Sequence, residues 1–83
     1  MDKATKNFAR IVVECYSGYK GDEDPRKFIY IGNEYVVDEV LERWYEEDLN
    51  SKGTLMENFK VRVSNKEYIL KHNLFSDIWE IRL

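Results

Sequence analysis

The chain is poor in the residues from which small proteins usually build chemistry. A single cysteine, Cys15, in 83 residues admits no internal disulfide and no thiolate pair for a metal, and it fits a reducing compartment. The single histidine, His72, excludes a histidine-rich metal motif, and no P-loop or Ser-His-Asp arrangement is readable. No apolar run approaches the ~18 residues of a membrane span, and the opening "MDKATKNFAR" lacks the apolar stretch of a signal peptide. The expectation is a cytoplasmic protein without membrane contact, cofactor or metal. One proline and four glycines, against 43% hydrophobic and 14% aromatic residues, describe a folded chain and not a disordered one. The length allows one domain, read as a flexible N-terminus over 1–7 and a single small β domain over 8–83.

Charge is present but uneven. Residues 22–48 hold ten acids and three bases, a balance of −7, whereas 1–21 and 49–83 each carry +2, for a total of −3. Such a chain lacks the broad basic footprint of non-specific nucleic-acid binding, although one folded face could still be positive. An acidic patch facing a basic partner is the electrostatic expectation; the competing reading is that these charges only solvate strands and loops.

Strand periodicity dominates. In "FARIVVECY", Ile11, Val13 and Cys15 fall on one side and Arg10 and Glu14 on the other, the two-residue period of a half-buried strand. "RKFIYIGNEYVV" reads as a hairpin about Gly32-Asn33, with Tyr30 opposite Tyr35 and Ile29 opposite Val36. "NFKVRVSNKEYILKH" reads as a second hairpin about Asn65-Lys66, with Val63 facing Tyr68, Val61 facing Leu70 and Phe59 facing His72. "IWEIRL" alternates as a closing strand, and 46–55 reads as a polar connection. The stretch "VVDEVLERWYEED" is ambiguous. Val36, Val37, Val40, Leu41, Trp44 and Tyr45 recur at helical spacing, yet no cap precedes them, and a strand with a bulge near Asp38-Glu39 explains the same pattern. The expected fold is all-β: up to six strands in a small antiparallel meander closed into an SH3-like barrel. The alternative is α+β, with a helix at about 38–49.

The segment "CYSGYKGDEDP" gathers the cysteine, the proline, two glycines and three consecutive acids. Its acids are adjacent, whereas a calcium loop alternates its ligands, and its Gly-x-x-Gly follows a strand and does not join two helices. It reads as a shaped bend. Cys15 paired with His72 would make a nucleophile, but both fall on inward positions, where a cysteine is usually a small hydrophobe. Enzymatic activity is therefore not expected. Recognition is: Tyr16, Tyr19, Trp44 and Tyr45, beside Asp22, Glu23 and Asp24, combine aromatic rings with carboxylates suited to a basic or proline-containing protein segment. The competing reading places Trp44 and some tyrosines in the core. A rival function is nucleic-acid binding through Lys60, Arg62, Lys71 and Arg82 as outward residues of adjacent strands.

The pieces "ECYSGYKGDEDPRKF", "EVLERWYEED", "FKVRV", "YILKH" and "WEIRL" together resemble a family of small bacterial and archaeal proteins with a Tyr-Ser-Gly-Tyr loop, an Arg-Trp pair and a terminal Trp-Glu strand. Arg43-Trp44 and Trp79-Glu80 are the most specific matches, and Asn65-Lys66 departs from the family's usual Asp-Gly. The resemblance implies a compact all-β domain and no catalytic residue. Pro25, the aromatic strand after it and "VLERW" are also similar to short domains encoded beside bacterial translesion polymerases, which implies a nucleic-acid-linked accessory role.

Overall fold

A computed structural model describes residues 7–15, 24–48 and 53–83. They form seven antiparallel strands and, among the described residues, no helix: β1 (Phe8–Cys15), β2 (Pro25–Tyr30), β3 (Asn33–Val36), β4 (Glu39–Asp48), β5 (Thr54–Val63), β6 (Lys66–Asn73) and β7 (Ile78–Arg82). The sheet order is β3-β2-β1-β7-β6-β5-β4. Followed as a ring, each strand neighbours the next in sequence and β7 returns to β1, so the meander is real. It stays open between β3 and β4, which makes a curled half-barrel.

β1 turns the corner of this half-barrel. Phe8 to Ile11 pair with β7, whereas Val12 to Cys15 pair with β2. The strand thereby joins a five-stranded part to a three-stranded part, and alternate residues of both point into one core. That core holds Ile11, Phe28, Phe59, Val61, Leu70, Trp79 and Ile81, with Tyr35, Tyr68 and Cys15 packed at its margin. Phe28, Phe59, Val61 and Leu70 are fully enclosed. Truncating either phenylalanine to alanine would cost about 3–5 kcal/mol, the price of a cavity in so small a core.

Several expectations are refined, among them the closed barrel, which is an open half-barrel. The strand expected after Val37 forms and the alternative helix does not over residues 38–48: Glu39–Asp48 pairs along β5, with Val40 opposite Val61 and Glu42 opposite Lys60, which leaves Leu41 as the extra residue of a bulge. The bulge thus lies beyond the expected Asp38-Glu39. A bend at Val37-Asp38 divides β3 from β4, giving seven strands, and together with Leu41 it shifts the strand phase twice, which mimics helical spacing. Both hairpin turns lie one residue earlier than expected. Ile31 and Gly32 form the first, both at positive φ, and Ser64-Asn65 forms the second. Tyr30 therefore faces Asn33 and Phe28 faces Tyr35, while Val61 faces Tyr68, Phe59 faces Leu70 and Glu57 faces His72. In the first turn glycine takes the second loop position at positive φ, whereas in the second the positive φ falls on Ser64, the first loop residue, and Asn65 follows it. Of the connection expected over 46–55, residues 46–48 and 54–55 are strand, with Asp48 opposite Thr54, and residues 49–52 lie outside the described residues. The flexible terminus expected over 1–7 lies outside the described residues except for Asn7, whose carbonyl accepts a 2.7 Å hydrogen bond from the Leu83 N–H.

Candidate functional site

The Val37-Asp38 corner bridges the gap between β3 and β4. The Val37 N–H donates to the Arg26 carbonyl on β2, the Asp38 N–H donates to the Arg62 carbonyl on β5, both at 2.8 Å, and the Asp38 carboxylate accepts the Ser64 N–H at 2.7 Å. Beside this corner lies an open groove of about 590 Å³, with Glu34, Tyr35 and Val36 on one bank and Val63 to Lys66 on the other. Its floor is aromatic. Tyr35 stacks on Phe28 with centroids 5.0 Å apart, and Tyr68 meets Phe28 and Tyr35 edge-on at 5.9 and 6.0 Å.

Backbone groups line the same groove. In an antiparallel ladder, successive residues turn their N–H and C=O alternately toward and away from the partner strand. Val37 donates toward β2, so Asn33 and Tyr35 face β2, whereas Glu34 and Val36 aim their backbone groups into the seam. A short open strand edge over an aromatic floor is the arrangement that accepts an additional extended strand.

The residues expected to form an aromatic and acidic surface are only partly described. Tyr16, Tyr19, Asp22 and Glu23 lie outside the described residues. Asp24 contacts the Arg43 guanidinium, which also lies 3.6 Å from Glu57 and 5.2 Å over the Phe59 ring. Tyr45 is exposed and donates to Glu57 at 3.1 Å. Trp44 is its neighbour in sequence and points to the other face of the sheet. There it lines a groove of about 380 Å³ with Phe8, Asn58, Lys71 and Arg82. Asn58 at its base is only 1% exposed and donates to Glu46 at 3.0 Å. One strand therefore divides Trp44 from Tyr45.

Lys60, Arg62, Lys71 and Arg82 do share the outer face of β5, β6 and β7, but most of their charge is engaged. Lys60 pairs with Glu67 at 3.6 Å, Arg62 with Glu39 at 2.6 Å and Lys71 with Glu46 at 3.7 Å. Cys15 and His72 are not brought together: β7 separates their strands, and Trp79 stands between Ile11 and His72 in the pairing. His72 instead stacks on Trp79 at 4.0 Å and bonds Asp77 through Nε2 at 2.7 Å. No group of three or more metal-ligating side chains occurs among the described residues, and no helix among them is long and apolar enough to cross a membrane.

The sequence pairs Tyr35 and Tyr68, the floor of the seam, only with partners within their own hairpins. Their meeting depends on how the two hairpins curl together, for which the chain carries no local signal. Compared with models of protein families, with curated proteins and with solved structures, the chain finds no match.

Proposed function

We propose that the protein is a non-catalytic cytoplasmic interaction module that holds an extended segment of another protein in the seam between β3 and the β5–β6 hairpin. The observation that carries this reading is the juxtaposition of the open β3 edge with the Tyr35–Tyr68 floor. Backbone hydrogen bonds to Glu34 and Val36 would supply affinity, and alternate side chains of the segment would rest on the tyrosines. A basic or proline-containing segment is the occupant favoured by the acidic balance of residues 22–48, in a role comparable to that of the groove of SH3-like barrels. The surface formed by Asp24 and Tyr45, with Tyr16, Tyr19, Asp22 and Glu23 contributed from sequence, is the rival location for the same function.

The test is fluorescence anisotropy with two labelled probes, an alternating Lys-Val octapeptide and a proline-rich octapeptide. Val36→Pro removes an N–H that points into the seam and leaves the ladder to β2 in place. Val36→Pro and Tyr68→Ala should each weaken the better probe about tenfold or more, while Tyr45→Ala leaves it unchanged. The opposite pattern would move the site to the Tyr45 surface, and failure of both probes to bind would end the reading. The nucleic-acid alternative has less support, because Lys60, Arg62 and Lys71 already face carboxylates. A labelled oligothymidylate should show no binding that falls steeply with salt.

A further inference from the structure

The groove beside Trp44 lies on the outer face of the five-stranded part of the sheet, and peptide binding in the seam makes no use of it. Strand pairing sets its residues in order. Trp44 on β4 stands opposite Asn58 on β5, and Asn58 stands opposite Lys71 on β6. Phe8 on β1 stands opposite Arg82 on β7, and the Lys71 ammonium lies 4.3 Å from the centre of the Phe8 ring. The space of about 380 Å³ runs between these side chains.

Asn58 is the anomaly on this face. Lys60 and Arg62, the next outward residues of β5, reach solvent, whereas Asn58 is 1% exposed. Its Nδ2 donates to Glu46 Oε1 at 3.0 Å, and the same oxygen lies 3.7 Å from Lys71 Nζ. A carboxylate only accepts, so this bond fixes which way the amide points. Asn58 Oδ1 is left as an acceptor to which no described residue donates, and so is Glu46 Oε2. Buried polar side chains are normally satisfied. Two spare acceptors on neighbouring groups, one of them at the base of a groove, suit a ligand that brings two donors.

The other end of the groove has the opposite chemistry. Lys60, Arg62 and Lys71 each face a carboxylate, whereas Arg82 is exposed and makes no ion pair among the described residues. A guanidinium with all its donors available suits a phosphate, which it can meet with two parallel hydrogen bonds. β5 and β7 stand two strand spacings apart, roughly 10 Å, a span comparable to that from the edge of a nucleotide's base to its phosphate. Trp44, opposite Asn58, supplies an aromatic face on which a base can stack.

We propose that this groove binds a guanine nucleotide. The guanine N1–H and 2-amino group donate to Asn58 Oδ1 and Glu46 Oε2, the ring lies on Trp44, and the phosphate pairs with Arg82. Guanine is the base whose pairing edge presents two adjacent donors. Adenine would turn a lone pair toward the same acceptors, and thymine offers one N–H between two carbonyls, so an oligothymidylate does not fit the site.

Heteronuclear NMR titrations that follow the Asn58 side-chain amide and the Trp44 indole N–H test this, with guanosine, inosine and adenosine monophosphates and with guanosine, each up to about 5 mM. Guanosine monophosphate should shift both signals saturably, with a dissociation constant on the order of 10⁻⁴ M. Inosine monophosphate, which lacks the 2-amino donor, and adenosine monophosphate should each bind about tenfold or more weakly. Arg82→Gln alters an exposed side chain and should leave the thermal midpoint in place. It should weaken guanosine monophosphate to the level of guanosine while leaving guanosine itself unchanged. Absence of any shift with guanosine monophosphate overturns the inference. Equal binding of adenosine monophosphate, or an Arg82→Gln variant that binds guanosine monophosphate as the wild type does, also overturns it. Tyr35 and Tyr68 lie outside this groove, so peptide binding in the seam stands or falls separately.

Discussion

Three residues carry consequences out of proportion to their size. The Arg43 guanidinium lies over Phe59 and joins Asp24 to Glu57, so its removal would leave Glu57 facing the core's mouth without that cation. Arg43→Met should lower stability by about 1–3 kcal/mol in urea titrations, and Arg43→Lys should restore only part, because a lysine cannot present a flat fork. Gly32 has φ +75° and open space where a Cβ would sit. Gly32→Ala should therefore cost about 1 kcal/mol through backbone strain alone, read as a lower thermal midpoint with no loss of near-ultraviolet circular dichroism. Lys27 is held above its ordinary pKa of 10.5 by its hydrogen bond to Glu34 and by the Glu14 charge. A raised folded-state value means that the ammonium stabilises the fold at every pH below about 10.5 and that this contribution fades as pH rises through the raised value. The gap in thermal midpoint between wild type and Lys27→Met should accordingly be constant from about pH 7 to about pH 10 and close only as pH rises past about 10.5.

At the scale of elements, the corner at Val37-Asp38 sets the width of the seam. Asp38→Ala would remove the side-chain acceptor of the Ser64 N–H, costing about 1 kcal/mol. It should speed hydrogen exchange at Ser64 and at Asp38 more than at Phe59, because only the corner loosens. The strands themselves were legible because their inward residues alternate, as in Ile11, Val13 and Cys15, and alternation survives any tertiary arrangement. The turns were legible only to within a residue, since Gly32 and Asn65 can occupy either loop position and moving the turn by one keeps every side chain on its face. That ambiguity changes cross-strand partners without changing the core, which explains why Phe59 and His72 share the expected inward face while Leu70 and Glu57 are their partners. The 36–48 stretch was hardest, because a bend and a bulge together reproduce helical spacing. Trp44 and Tyr45 were grouped for their chemistry, and a strand necessarily sends such neighbours to opposite faces.

For the whole molecule, β7 is both the neighbour of β6 and the strand that receives β1, and it supplies Trp79 and Ile81 to the core. A chain ending at Ser76 should fail to fold, with flat near-ultraviolet dichroism and no cooperative thermal transition, because β1 would lose its only partner for Phe8 to Ile11. The β1–β7 pairing also joins the most distant parts of the sequence, the kind of contact whose loop-closure entropy slows folding. Yet Asn7 and Leu83 are already hydrogen bonded to one another. A circular permutant that links these two residues and begins instead at Asp38 would list its strands in the order in which they stand in the sheet. All six pairings would then be hairpins, the distant contact would become a local one, and the half-barrel's open seam would become simply the space between the two ends of the new chain.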